Sequence, residues 1–255
     1  MKYPLSIAAI ALMALMPPAE AASLAERGDP LDSARWADMH RHILGNAPVL
    51  FDPRVKVIAP SLAENPLQVP VSVDASALAK VEEVIVFADF NPIVEILRFY
   101  PEAVPAMLGF RVKLQQSTPV RAAVRTADGI WHVGGTWVNT AGGGCTTPSL
   151  GSGSPAWQSR LNEVSARQWS TGPNAGRLRL KIVHPMDTGL VAGIPSFFLD
   201  EITLRDVTGK PLMRLKPAEP VAENPVFTLG GLGETPVEIL GRDNNGNTFS
   251  QRVAP

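Results

Sequence analysis

A single cysteine stands in the most glycine-rich stretch of this sequence. Cys145 is the only cysteine among 255 residues, and it follows Gly142, Gly143 and Gly144 in "TAGGGCTTPSLGSGSPAW", residues 140–157. A lone thiol can act as a nucleophile, hold a covalent adduct, or be buried as a small apolar side chain. Because it has no internal disulfide partner, it is either a free thiol or bonded to something else.

The residues around the cysteine favour attachment over catalysis. An unperturbed thiol has a pKa of about 8.5, and no Lys, Arg or His lies within five residues of Cys145 to lower that pKa. The glycines offer no side chains to bury the thiol, and they leave the backbone free to rotate. We therefore predict an exposed attachment point on a flexible arm made of Gly142, Gly143 and Gly144, with burial of Cys145 as the alternative.

The histidines provide neither an obvious base for the thiol nor a metal site. His40 and His42 point to different sides of a predicted helix, which makes them poor joint metal ligands. His132 or His184 could form a Cys–His nucleophilic pair, but nothing in the spacing brings either close to Cys145. We predict no catalytic residue, no metal and no cofactor. A thiol-dependent enzyme is the weakest hypothesis, since it requires a base within about 3 Å of the thiol.

The first residues predict export. Residues 1–21 combine one lysine, an apolar stretch from Leu5 to Met16, and Ala19-Glu20-Ala21, the layout of a secretory signal peptide. The apolar stretch is too short to span a bilayer. A composition of 45% hydrophobic and 18% charged residues with a net charge of −1 gives no support to nucleic-acid or membrane-surface binding, which needs a basic face. The sequence predicts a periplasmic protein that neither inserts into the membrane nor binds nucleic acid.

The elements on each side of the cysteine are predicted to be short strands joined by turns. A helix is predicted over residues 30–44, ending at Gly45. Asp128-Gly129 is typical of a tight hairpin, and Gly134-Gly135 suggests a bulge or bend. This pattern indicates an antiparallel sandwich. The predicted strands occupy residues 69–74, 81–89, 108–115, 119–126, 130–140, 177–184, 197–206, 211–216, 225–230, 236–243 and 247–253.

The chain is predicted to contain two β domains of similar size. A signal peptide (1–21) and an N-terminal helical segment (22–45) precede the first β domain (46–140). A Gly/Ser-rich linker (141–160), of a composition typical of flexible coil, carries Cys145. The second β domain occupies residues 161–255.

The two halves resemble the SoxY and SoxZ sulfur-carrier proteins joined in one chain. In the first half the resemblance lies in "FADFNPIVEI" (87–96), "GFRVKLQQSTPVRAAV" (109–124) and Gly143-Gly144-Cys145, which is similar to the start of the family's glycine–cysteine motif. In the second half it lies in "HPMDTG" (184–189) and "AENPVF" (222–227), through His184, Pro185, Met186, Gly189, Asn224 and Pro225. The chain is especially similar to fused versions associated with quinoprotein dehydrogenases. It departs from the family at Thr146, where the family has glycine, and in the 110 residues that follow Cys145.

This resemblance implies an all-β fold of two immunoglobulin-like antiparallel sandwiches, SoxY-like and then SoxZ-like, with a short N-terminal helix. It implies that Cys145 carries covalently bound sulfur intermediates between periplasmic enzymes, in thiosulfate oxidation or beside a quinoprotein dehydrogenase, and that the carrier is not itself an enzyme. The matching residues of the second half are expected to be structural or interface residues. The lone thiol also permits a disulfide-linked homodimer. The alternative is a non-catalytic accessory module of a quinoprotein dehydrogenase, in which the cysteine is incidental.

Overall fold

The computed structural model describes residues 28–149, 157–172, 175–232 and 235–254. The predicted signal peptide, residues 1–21, lies outside the described residues, as does part of the linker, residues 150–156. Within the described part of the chain, no helix is long and apolar enough to cross a membrane. A single α-helix, α1 (Trp36–Leu44), comes first among the described elements.

The rest of the described chain is built almost entirely from strands. The first half contains β1 (Val49–Phe51), β2 (Lys56–Ile58), β3 (Leu62–Ala63), β4 (Val69–Asp74), β5 (Val81–Ala88), β6 (Glu95–Tyr100), β7 (Met107–Val112), β8 (Thr118–Thr126) and β9 (Trp131–Thr140). A 3₁₀ turn (Gln158–Arg160) leads into the second half. That half contains β10 (Val164–Gly172), β11 (Ala175–Ile182), β12 (Asp187–Thr188), β13 (Ser196–Phe197), β14 (Leu199–Asp206), β15 (Pro211–Pro217), β16 (Val226–Gly230), β17 (Val237–Asp243) and β18 (Thr248–Val253).

Both main sheets run through both halves of the chain. The ten-stranded sheet has the order β1-β9-β8-β5-β6-β15-β14-β17-β18, with β3 beside β9, and the six-stranded sheet has the order β10-β11-β16-β7-β4-β2. The halves meet where β6 pairs with β15 and where β7 pairs with β16, both antiparallel. One hydrophobic cluster between the sheets contains buried residues from both halves. The predicted all-β, immunoglobulin-like fold class is confirmed, and the halves are joined edge to edge.

Alternation of apolar and polar residues explains how the strands face this core. In β4, Val69, Val71 and Val73 are buried while the residues between them are more exposed. In β11, Leu178 and Leu180 are buried among exposed basic residues. Successive side chains of a strand point to opposite faces of its sheet, and burying each such side chain stabilises the fold by about 1.5–3 kcal/mol.

Helix α1 is shorter than the sequence predicts, although it ends where expected. Gly45 has φ +62° and ends the helix in the left-handed conformation, as predicted. The residues before Trp36 form a turn, because the Asp29 carboxylate accepts hydrogen bonds from the backbone N–H groups of Leu31 and Ser33 at 3.1 and 2.8 Å. This turn replaces the first residues of the predicted helix.

Of the bulge or bend predicted at Gly134-Gly135, the bulge is wrong. The register between β8 and β9 is continuous there, with Gly134 opposite Ala122 and Gly135 opposite Arg121. A Cβ atom on Gly134 would lie only 1.9 Å from the carbonyl oxygen of Val55. The missing side chain therefore allows the segment before β2 to lie directly on the sheet.

A buried arginine fixes the N-terminal turn to the ten-stranded sheet. Arg121 of β8 is 1% exposed, and its guanidinium lies 2.7 Å from an oxygen of Asp29 and 3.0 Å from an oxygen of Asp89. The Trp36 ring covers it, with the guanidinium carbon 4.8 Å from the ring centroid. Strong charge-assisted hydrogen bonds thus satisfy both buried carboxylates.

We expect Arg121→Met to lower the free energy of unfolding by about 3–5 kcal/mol, because it leaves two buried carboxylates without their cation. The matched control is Arg125→Met in the same strand. Arg125 is 35% exposed where it pairs with Glu82 and Glu83, so its loss should cost about 1 kcal/mol or less. Urea unfolding of both variants measures the difference. Equal losses for the two variants would contradict this role of Arg121.

Candidate functional site

The glycines before Cys145 are docked against the segment that follows β7. The Gly143 N–H donates to the carbonyl oxygen of Gln115, and the Gly144 N–H donates to that of Leu114, both at 3.0 Å. These two bonds hold the backbone leading to Cys145 in one place. The prediction of a free, flexible arm is therefore wrong for this conformation.

The same glycines are needed for this close contact. Gly142 and Gly143 have φ +85° and +86°, which other residues rarely adopt. A Cβ atom on Gly142 would lie 2.4 Å from the Gln115 carbonyl oxygen, and one on Gly144 would lie 2.3 Å from the Pro66 carbonyl oxygen. The glycines thus allow the segment to pack against neighbouring backbone.

The thiol itself is buried. Cys145 is 0% exposed, and its Sγ donates to the carbonyl oxygen of Lys113 at 3.5 Å. Its N–H donates to Oε1 of Gln115 at 3.2 Å, and its carbonyl oxygen accepts a hydrogen bond from Thr188 Oγ1 at 2.6 Å. The predicted exposure is wrong, and burial, the alternative, is what the structure shows. In this conformation Cys145 cannot reach a second copy of the chain to form a disulfide.

The electrostatic surroundings keep the buried thiol neutral. Burial raises the pKa of the Cys145 thiol to about 11, although the positive charge of Lys113 opposes this rise. Burial also lowers the pKa of the Lys113 ammonium to about 8, and the Lys113 Nζ donates to the carbonyl oxygen of Met186. At neutral pH the thiol is protonated, and it is a poor nucleophile in this conformation.

The first motif of the second half forms a turn after β11, and hydrogen bonds join this turn to Asn224 of the second motif. The Asn224 N–H donates to the carbonyl oxygen of His184 at 2.8 Å. In return, the His184 N–H donates to Oδ1 of Asn224 at 3.2 Å. Nδ1 of His184 accepts the N–H of Met186 at 3.1 Å, and both Met186 and Asn224 have positive φ. The two motifs, distant in sequence, therefore stabilise each other's backbone.

This turn lies directly beside the cysteine. Met186 and Thr188 provide the contacts to Lys113 and to the Cys145 carbonyl that are described above. Pro185 is buried next to Met186, while the Pro225 carbonyl accepts the N–H of Ile182 at 3.1 Å. Gly189 has φ +75°, and a Cβ atom there would press on Ser196 at 3.0 Å.

No histidine activates the thiol in the described residues. Nε2 of His184 lies 3.8 Å from Oδ2 of Asp243, and burial lowers the pKa of His184 to about 4. His132 is bound to Asp52, with Nδ1 2.7 Å from Oδ2. Across the four described ranges, no cluster of His, Cys, Asp and Glu could hold a metal ion.

Sequence reasoning missed several residues of this site. Lys113 and Gln115 hold the cysteine from the first half, and Thr188 holds it from the second. The amide of Asn91 joins them, donating to the Lys113 carbonyl and accepting the Gln115 N–H, both at 2.9 Å. All four lie inside the stretches that resemble the SoxY and SoxZ families (87–96, 109–124 and 184–189), but nothing in the sequence pairs them with Cys145, because each is at least thirty residues from it.

Comparison with known proteins finds a family match in the first half of the chain. Residues 40–145 match the family model described as "Sulfur oxidation protein SoxY". These residues, which are less than half of the chain, are similar to that family. The matched region begins within α1 and ends on Cys145, so the docked glycine segment lies inside the match. The 110 residues that follow it are outside the match.

Two solved structures are distantly similar to the chain. The sulfur carrier protein SoxY of Chlorobium limicola f thiosulfatophilum is 20% identical with a TM-score of 0.35, over 42% of this chain and 96% of that one. The beta-glucuronidase of Parabacteroides merdae is 10% identical with a TM-score of 0.25, over 78% of this chain and 24% of that one. No curated protein matches the sequence.

We expect native Cys145 to react with iodoacetamide at pH 8.5 about two orders of magnitude more slowly than the unfolded chain. A pKa of about 11 leaves far less thiolate than the ordinary value of about 8.5. Mass spectrometry of quenched samples follows the alkylation, with protein in concentrated urea as the control. A native rate with an inflection near pH 8.5 would contradict this burial.

Proposed function

We propose that this protein is a sulfur carrier, which holds a sulfur-containing intermediate covalently on Cys145 and performs no chemistry of its own. The observation that carries the proposal is the SoxY family match ending on Cys145, the only cysteine of the chain. The partners would be enzymes of sulfur oxidation or redox enzymes associated with a quinoprotein dehydrogenase. The predicted signal peptide favours the periplasm as their common compartment.

The second half is proposed to act as a SoxZ-like cradle for the cysteine. Its contacts support this role, because Met186 and Thr188 bind Lys113 and the Cys145 backbone. The turn that contains them is held by hydrogen bonds between His184 and Asn224. These motif residues are therefore proposed to position the cradle and not to react.

Carrying cargo between enzymes requires that the docked segment open. The hydrogen bonds of Gly143, Gly144 and Cys145 hold it closed, and each contributes about 1 kcal/mol net. Their sum falls in the range of a few kcal/mol that separates a minor conformer from the main one. Because five residues extend by at most about 17 Å, an opened segment anchored at Thr140 can present the thiol to a partner's pocket.

A second candidate function is a non-catalytic accessory module of a quinoprotein dehydrogenase with an incidental cysteine. Complete burial of Cys145 favours it, since a carrier thiol must be reached by other enzymes. The two functions differ in what becomes attached to the thiol in the cell.

Intact-mass spectra of the protein purified from its native host test the proposal. Cells are grown with thiosulfate or with an alcohol as electron donor. We expect a reducible mass increment on Cys145, and its size identifies the cargo. Cys145→Ser should lack the increment while keeping its melting temperature within a few degrees. An unmodified thiol under both growth conditions would favour the accessory module, and an increment that persists in Cys145→Ser would exclude Cys145 as its attachment point.

A further inference from the structure

The six-stranded sheet concentrates positive charge. Among the described residues its strands contain one acidic residue, Asp74, whereas the ten-stranded sheet mixes acidic and basic residues. The overall net charge of −1 conceals this separation of charge between the two sheets. The basic residues of the six strands are Lys56, Arg111, Arg167, Arg177, Arg179 and Lys181.

Strand register gathers most of these cations on the outer face. Arg167 of β10 lies directly opposite Arg179 of β11, and Arg177 lies opposite Trp169. All three arginines are exposed, as is Arg111 of β7. Like charges directly opposite each other in a sheet are destabilising. The fold therefore keeps a repulsion between positive charges, which a bound anion would reduce.

Little acid within the chain neutralises this face. Asp74 lies on β4, next to the edge strand β2, and is paired in register with Lys56. Glu163 forms an ion pair with Arg160 and also attracts the charge of Lys181. In the described ranges, the arginines at positions 111, 167, 177 and 179 form no ion pair within 4.0 Å. Their charges remain available to a partner.

A trough of small residues crosses the same face. Ser72, Gly109 and Thr228 are aligned on the neighbouring strands β4, β7 and β16. Together with Arg111, Arg177 and Arg179 they line a depression of about 550 Å³. Ile58, which is 62% exposed, and Trp169 also line it. A partly apolar depression lined by guanidinium groups fits a segment that carries both apolar and carboxylate side chains.

We propose that this basic face of the six-stranded sheet binds an acidic segment of a partner protein. Apolar side chains of the segment occupy the trough, and its carboxylates pair with Arg111, Arg177 and Arg179. A concave, partly apolar floor favours a protein segment over a membrane surface, which meets proteins through charge alone or through inserted side chains. The assignment goes beyond the carrier function and does not depend on Cys145.

Fluorescence anisotropy tests the assignment with a labelled peptide of alternating glutamate and valine. We expect Arg177→Glu combined with Arg179→Glu to weaken binding to the full chain at least about tenfold. The matched control combines Arg205→Glu with Lys216→Glu, two exposed cations of the ten-stranded sheet, which make the same change in net charge. Its affinity should stay within about twofold of the unchanged protein.

A second variant tests the contribution of the trough while leaving the arginines unchanged. The Cβ atom of Gly109→Val has room, since its nearest neighbour is 3.6 Å away, and its methyl groups should weaken peptide binding by filling the trough. The proposal is overturned if the charge-reversed and control variants bind the peptide equally, or if a lysine–valine peptide binds as well. Tighter binding to phosphatidylglycerol vesicles than to the acidic peptide would assign the face to a membrane and likewise overturn it.

Discussion

The pairing of β7 with β16 is the contact on which the cysteine's surroundings depend. It joins the two halves in one sheet, and the chain just beyond it continues the contact, because the Lys113 N–H donates to the Pro220 carbonyl at 2.7 Å. Lys113 thereby enters the space beside Met186. The buried position of Cys145 follows from this junction, since the first half provides the surface on which the segment docks and the second half closes over it.

The same junction explains both the protection and the proposed release of the thiol. A buried, protonated cysteine is a poor target for the oxidants that attack thiolates. The bonds that bury it are a few hydrogen bonds to a short segment, whereas the surrounding strands are held by long ladders and a continuous core. Local openings draw on the least stable parts of a fold, so the cysteine can be released while the sheets stay intact.

Alternating hydrophobicity predicted the longer strands well, and most of their ends lie within two residues of those observed. It missed the short strands β1, β2 and β3, because two or three residues are too few to show a period. It also missed β6 and β10, where mixed burial obscures the alternation. The fate of Cys145 lay beyond local pattern. Glycines permit either free rotation or close packing. Close packing occurs here because the carbonyl groups of Pro66 and Leu114, distant in sequence, lie against Gly144. Charge composition likewise missed the basic face, which exists only through strand register.

Local opening is proposed to release the thiol. The most direct test is to measure the rate of Cys145 alkylation at low urea concentrations, well below the unfolding transition. Local opening exposes little surface, so we expect a rate that is nearly independent of urea until the transition begins. If the thiol were reached only through global unfolding, the logarithm of the rate would rise linearly with urea, with the slope of the equilibrium unfolding curve. That result would contradict a docked segment that opens on its own.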